Sequence, residues 1–327
     1  MGITAWLFGR RSTGDRETTG TPEGAGEAFN EPFGDFLDLP SCKFFGPCSR
    51  SPNKRFALGW RDGDDSGTQG GARRSGLGRY ILVDGRSIIV QGRMQRPNDG
   101  KVADNGVFIL NDWGFTSELS GVFSAFRHDG SKILSRRFKA NLYNNGLSAD
   151  GRLAVCQTCN SPGQGDSSIL AVFDLVLGKE IAAWMPESGW ANAYEFPPDN
   201  QTIKLGYPDG GTFTYSLHGE FLDRVKWANA ELRKGNLFVV ERLLKAAEKD
   251  CSPELAHMLI GSIDVALNAA RLGDARTQAW AWRLRGMCFE TQNDAAAALG
   301  CYDKALTFDP KIGVKRRADQ LRKLFTR

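Results

Sequence analysis

The chain has 327 residues, of which 41% are hydrophobic and 24% charged, and its formal net charge is +4. That length exceeds one ordinary domain, and no run of eighteen apolar residues is present to form a membrane-spanning helix. Seven cysteines, an odd number without framework spacing, exclude a disulfide scaffold and predict reduced thiols in a cytoplasmic protein.

In chain order, "MGITAWLFGRR" carries an apolar patch ahead of its basic residues, which is not the layout of a secretory signal, and Trp6 stands where a myristoylation motif wants Ser or Thr. Residues 1–32 are too polar to build a core and are expected to form a flexible arm. A loose stretch, "RDGDDSGTQGGARRSGLG" at 61–78, reads as a long loop within strand-like sequence. Around these segments a repeat emerges. Turn residues Asn53, Asn105, Asp150 and Asp199, each followed by an apolar strand, recur every 45 to 52 residues, and hairpin glycines Gly85, Gly130, Gly178 and Gly219 recur every 41 to 48. Such turns supply the positive φ that tight hairpins need, and β-branched and aromatic residues fill the runs between them.

A unit of this length with three or four antiparallel strands fits a propeller blade. Residues 33–222 are therefore expected to form a small or incomplete four-bladed β-propeller-like domain. It resembles WD-repeat propellers in period and turn placement only, since their Gly-His and Trp-Asp signatures are missing. A closed small ring, an arc completed by the N-terminal arm, and a twisted sandwich all remain open.

From Phe221 the apolar period changes to about 3.6, which predicts helices over 221–233, 236–249, 253–271, 274–292, 294–308 and 311–326, arranged as three antiparallel pairs. Within the last 105 residues (223–327), "AWAWRLRGMCFETQNDAAAALGCYDKALTFDP" places Trp282, Gly286, Phe289, Ala298, Tyr302, Ala305 and Pro310 at the spacing of a tetratricopeptide repeat, which residues 279–312 resemble. Gly286 and Ala298 are expected to face one another where the two helices come close. Arg285 departs from the pattern, which prefers a large apolar residue. "GNLFVVERLLKAAEKDCSP" from Gly235 resembles the second helix of such a repeat, and Val314, Ala318, Leu321 and Phe325 give the last helix an apolar seam. The resemblance implies a concave groove that accepts a partner's peptide or helix, lined here by Trp280, Arg283, Met287 and Glu290. The same four residues would equally suit packing against the β domain.

Four further sets of residues invite a functional reading. Segments leaving equivalent strands would gather Trp60, Asp62, Asp112, Trp113, Gln157, Asn160, Tyr207 and Asp209 at one end of the sheets, as a ligand rim or simply as turn and cover residues. Cys156 and Cys159 have half-zinc-site spacing that Cys42 and Cys48 could complete, although buried thiols account for them as well. In the basic terminal segment, Lys315, Arg316, Arg317, Arg322 and Lys323 could contact phosphate or form a solvated face. The three histidines, His128, His218 and His257, have no nucleophile beside them in sequence, and no nucleotide-binding, zinc-protease or hydrolase motif occurs. The expected role is a noncatalytic adaptor without a cofactor, binding protein partners through both parts. The alternatives are a nucleic-acid accessory protein and an enzyme or small-ligand receptor acting at the rim.

Overall fold

The computed structural model describes residues 36–63, 71, 73–115, 119–163, 165–199, 201–208, 211–247, 251–269 and 274–325. The expected N-terminal arm, Asp209 and most of the tip of the 61–78 loop lie outside them. The described residues form several antiparallel sheets followed by six helices.

The first sheet contains β1 (Phe36–Leu39), β2 (Phe44–Arg50), β3 (Phe56–Arg61), β4 (Gly78–Asp84) and β5 (Ser87–Met94), paired in that order. The second contains β6 (Pro97–Val102), β7 (Phe108–Asp112), β8 (Gly121–Phe126) and β9 (Lys132–Phe138). The third contains β10 (Leu142–Leu147), β11 (Leu153–Thr158), β12 (Leu170–Asp174) and β13 (Lys179–Trp184). The fourth contains β14 (Ala193–Glu195), β15 (Thr202–Gly206) and β16 (Thr212–Ser216). Every sheet is an antiparallel meander.

Both sequence markers have a local physical cause. The side-chain oxygens of Asn53, Asn105, Asp150 and Asp199 each accept the backbone N–H two residues on, from Arg55, Val107, Arg152 and Gln201, which closes an Asx turn before β3, β7, β11 and β15. The four hairpin glycines all have φ between 56° and 91°, a conformation costly for any residue with a Cβ. The Asx residues also join neighbouring sheets. The Asn53 N–H donates to Asp104 Oδ1 at 2.8 Å, and Asn105 Nδ2 donates to the Asp150 carbonyl at 2.7 Å.

Successive sheets pack face on face in chain order. Leu58, Trp60, Tyr80 and Leu82 of the first meet Val102, Phe108, Leu110 and Phe126 of the second, while Ile109, Phe123 and Ala125 on the second sheet's other face meet Leu142, Ala154, Cys156, Ala171 and Phe173 of the third. Strands β7 and β11 are thus buried on both sides, which explains why "FILND" and "LAVCQT" do not alternate. The outward face of the first sheet is covered by its own chain, with Leu37, Leu39 and Phe44 lying over Ala57, Ile81 and Val83. The far face of the fourth sheet is polar and partly open, presenting Thr202, Lys204, Thr212, Thr214 and Ser216.

Among the described residues the fourth sheet has no strand beyond β16. In its place Phe221 makes a single bridge to Tyr215 and stacks on its ring at 4.3 Å, and the chain then enters α1 (Arg224–Arg233). The remaining helices are α2 (Leu237–Ala247), α3 (Pro253–Ala269), α4 (Ala275–Thr291), α5 (Ala295–Phe308) and α6 (Lys315–Phe325). Consecutive helices pack on one another. Helix α4 packs most extensively on α5 and also touches α3 and α2, α2 lies beside α3, and α1 packs on β16. Helix α1 also lies against α2 and α3, and its Trp227 packs against Phe221 at 5.8 Å. "GNLFVVERLLKAAEKDCSP", read from the sequence as a second helix, supplies α2, the neighbour of α4.

The buried cluster does not break at this junction. It runs from Val155, Leu170 and Val172 through Ile203, Leu205, Phe213, Tyr215 and Phe221 into Trp227, Leu232, Val240, Leu259, Ile263, Leu284 and Cys288. Phe325, expected on the apolar seam of the last helix, is 56% exposed, while Val314 and Ala318 are buried.

Candidate functional site

The helical part holds a cleft of about 850 Å³. Its base is α4, which contributes Arg283, Met287, Glu290 and Thr291. Leu244 and Lys245 of α2 form one wall, and Ile312, Gly313, Val314 and Arg317 form the other. A shallower extension of about 370 Å³ shares Arg283 and Ile312 and adds Phe238 and Trp280. All four groove residues of the sequence analysis therefore lie along one continuous depression. Helical spacing puts them on one face of α4, where Trp280 and Met287 also pack against the buried cluster shared by the sheets and helices.

Ion pairs organise this surface. Glu241 of α2, which sequence reasoning missed, accepts from the Trp280 indole N–H at 3.1 Å and from Arg283 Nη2 at 3.1 Å, and it pairs with Lys245 at 3.1 Å. At the other end Glu290 accepts from the Arg317 guanidinium at 2.6 and 2.7 Å and from the Tyr302 hydroxyl. Burial first, and then the hydrogen bond to Glu290, push the Tyr302 phenol far above its ordinary value, so it stays a donor. Phe238, 76% exposed, stands edge-on to Trp280 at 4.7 Å at the mouth of the cleft.

The α4–α5 hairpin that carries this face is held by close approach. A Cβ built on Gly286 would fall 2.5 Å from Tyr302 Cε1, so the neighbour that Gly286 admits is the Tyr302 ring rather than Ala298. Arg285 bridges to the preceding helix. Its guanidinium pairs with Asp264 of α3 at 2.8 Å and lies over the Trp282 ring at 5.3 Å.

At the sheet ends, most rim candidates act as links between or within sheets. Asp62 receives Arg73 at 2.7 Å and Arg96 at 3.3 Å. Asp112 accepts the backbone N–H groups of Gln95, Arg96 and Gly114, which fixes the crossing from the first sheet to the second. Gln157 accepts from the Ala191 N–H and the Tyr194 hydroxyl, tying the third sheet to the fourth. Tyr207 donates to Ser188 Oγ, Asn160 accepts from Ser167, and Trp60 is buried between the first two sheets. Trp113 differs in keeping much of its ring exposed.

Cys42 and Cys48 sit on the flank of the first sheet and Cys156 lies between the second and third, so these thiols do not converge. Among the described residues no group of three or more metal-ligating side chains is present. Burial pushes the Cys156 thiol well above its usual value, Cys159 upward, and Cys288 up to about 12. Of the five basic residues of the last helix, Arg317 is bound to Glu290 and Arg322 to Asp303 and Asp319, while Lys315, Arg316 and Lys323 face solvent. No helix among the described residues is long and apolar enough to cross a membrane.

No protein-family model matches the chain, and no curated protein matches it. Among solved structures it is similar to the crystal structure of the C-terminal WD40 domain of Sif2, at 10% identity and a TM-score of 0.34. That likeness covers 52% of this chain and 45% of the other, so the chain spans less than half of its length.

Proposed function

We propose that this protein is a noncatalytic interaction scaffold that holds a segment of a partner protein in the cleft between α2, α4 and α6. In this reading residues 33–222 form an open, propeller-like arc, and residues 223–327 form a tetratricopeptide-like array, in a cytoplasmic protein. The carrying observation is the cleft itself, at about 850 Å³. Its apolar lining of Leu244, Met287, Ile312 and Val314 is edged by charges already fixed in position, an arrangement suited to a side chain that is buried and a backbone that is hydrogen-bonded. The Cys156 and Cys288 thiols are held protonated by burial, His128 and His218 lie in turns and His257 in α3, in keeping with a binding role.

The test is a quantitative capture comparison between the full chain and Met287→Glu, which sets a carboxylate in the cleft base. Partners that are enriched with the wild type and depleted at least tenfold with the variant are expected. An identical partner set from a variant that retains its circular dichroism and melting temperature would sink the reading.

A further inference from the structure

The ion pairs of the helical cleft share an orientation in which the carboxylate lies low and the cation stands out. Glu241 is 19% exposed against 30% for Arg283 and 68% for Lys245, and Glu290 is 14% exposed against 62% for Arg317. Long basic side chains cover a buried partner with their stems while the charged head stays in water. A ligand arriving from solvent therefore meets the positive member of each pair first.

The carboxylates are already spoken for. Glu241 accepts from the Trp280 indole N–H and Arg283 Nη2 and pairs with Lys245, while Glu290 accepts from Arg317 Nε and the Tyr302 hydroxyl. Flanking the lining segments, Asp274, Asp294 and Asp309 accept the backbone N–H groups of Arg276, Ala297 and Lys311, which holds them in caps and turns. The cations have more to give. Arg317 bonds Glu290 through Nε and Arg283 bonds Glu241 through Nη2, so each guanidinium has further N–H groups to offer an incoming carboxylate. Lys315 and Arg316, exposed just before Arg317 on α6, add positive charge at that end.

The cations fall into two groups with an apolar interval between them. Arg283 and Glu290, the residue that receives Arg317, stand seven positions apart on α4, about 10 Å along the helix axis. Met287 lies between them, and Leu244 and Val314 line the same cleft. An amphipathic helix laid along α4 repeats this spacing, since side chains at i, i+4 and i+7 share one face. Carboxylates at its outer two positions and an apolar side chain at the middle one complement the cleft in both charge and hydrophobicity. A phosphate backbone, which follows a continuous cationic track, matches the interval at Met287 less well.

We propose that the cleft between α2, α4 and α6 takes an acidic amphipathic helix of a partner protein, whose carboxylates meet Arg283 and Lys245 at one end and Arg317 at the other, with an apolar side chain against Met287 between them. The proposal rests on the reading of the cleft as a partner site. The test titrates the full chain with an alanine-rich helical peptide bearing Glu, Leu and Glu at positions i, i+4 and i+7, followed by fluorescence anisotropy. Comparison probes carry Gln in place of both Glu or Lys in place of both, and oligothymidylate is added as a fourth. Saturable binding of the Glu peptide is expected, with a dissociation constant on the order of 10 μM, about tenfold weaker for the Gln peptide. Raising the salt from about 50 to about 500 mM should weaken it by a further factor of about ten. Arg317→Gln should weaken it about fivefold, and Lys323→Gln, which removes an exposed cation of the same helix outside the cleft, should leave it unchanged. The proposal is overturned by equal affinity for the Glu and Gln peptides, by preference for the Lys peptide or the oligonucleotide, by full affinity in a folded Arg317→Gln variant, or by the absence of saturable Glu-peptide binding at about 1 mM. The two readings fail separately. Captured partners that are depleted by Met287→Glu but indifferent to Arg317→Gln would leave the cleft a docking site and remove its acidic occupant, whereas partners indifferent to both variants would remove both.

Discussion

Asp62 shows how one carboxylate can organise a sheet end. Burial pushes its carboxyl upward, but hydrogen bonds from Arg73, the Gly71 N–H and Arg96 more than offset this and hold it below the usual carboxylate range. A folded-state value below the unfolded one, about 3.9, gives a contribution that is present above that pH and is lost as the pH falls through the folded value. Asp62→Asn is therefore expected to lower the melting temperature near about pH 7 and to match the wild type near about pH 2. An equal deficit at both pH values would show that the carboxylate's charge is not what holds Arg73 and Arg96. Arg285 makes a second point at this scale. An apolar residue is expected at its place in the repeat, yet its pairing with Asp264 and its stacking on Trp282 make it the contact to α3.

Among the elements, the α4–α5 hairpin depends on a close approach at Gly286. Gly286→Ala places a methyl 2.5 Å from the Tyr302 ring. Overpacking of that kind costs about 1–3 kcal/mol, set against about 1 kcal/mol that alanine gains as a helix former. A net loss in denaturant midpoint is expected, and a stabilised variant would show that the helices have room to part. The helices themselves were legible because their breaks are local: Asp274 and Asp294 cap α4 and α5 through their own side chains. The last helix begins later than expected, at Lys315, since Gly313 takes φ 88° just before it. The Asx turns were legible for the same reason. Glu241 was not, because its role appears only once α2 lies beside α4.

For the whole molecule, the deciding fact is that one buried cluster passes from the third and fourth sheets into the helices. The change of period near Phe221 was visible in the sequence. The continuity of the packing was not, since it depends on Phe221 completing a sheet edge and presenting its other side to Trp227. Removing residues 223–327 should therefore bare Phe213, Tyr215 and Phe221, and the shortened protein should bind a hydrophobic dye and melt without a cooperative transition. A sharp transition at the full-length melting temperature would show that the sheets need no helices. Among the described residues, one terminal face of the sheets is covered by the chain's own first hairpin and the other is polar. A circle fixes the number of its members by geometry, whereas a row with finished ends can gain or lose an internal member without reshaping the rest. Descendants of such a gene could lengthen it by tandem duplication, 45 or so codons at a time, while keeping both ends intact.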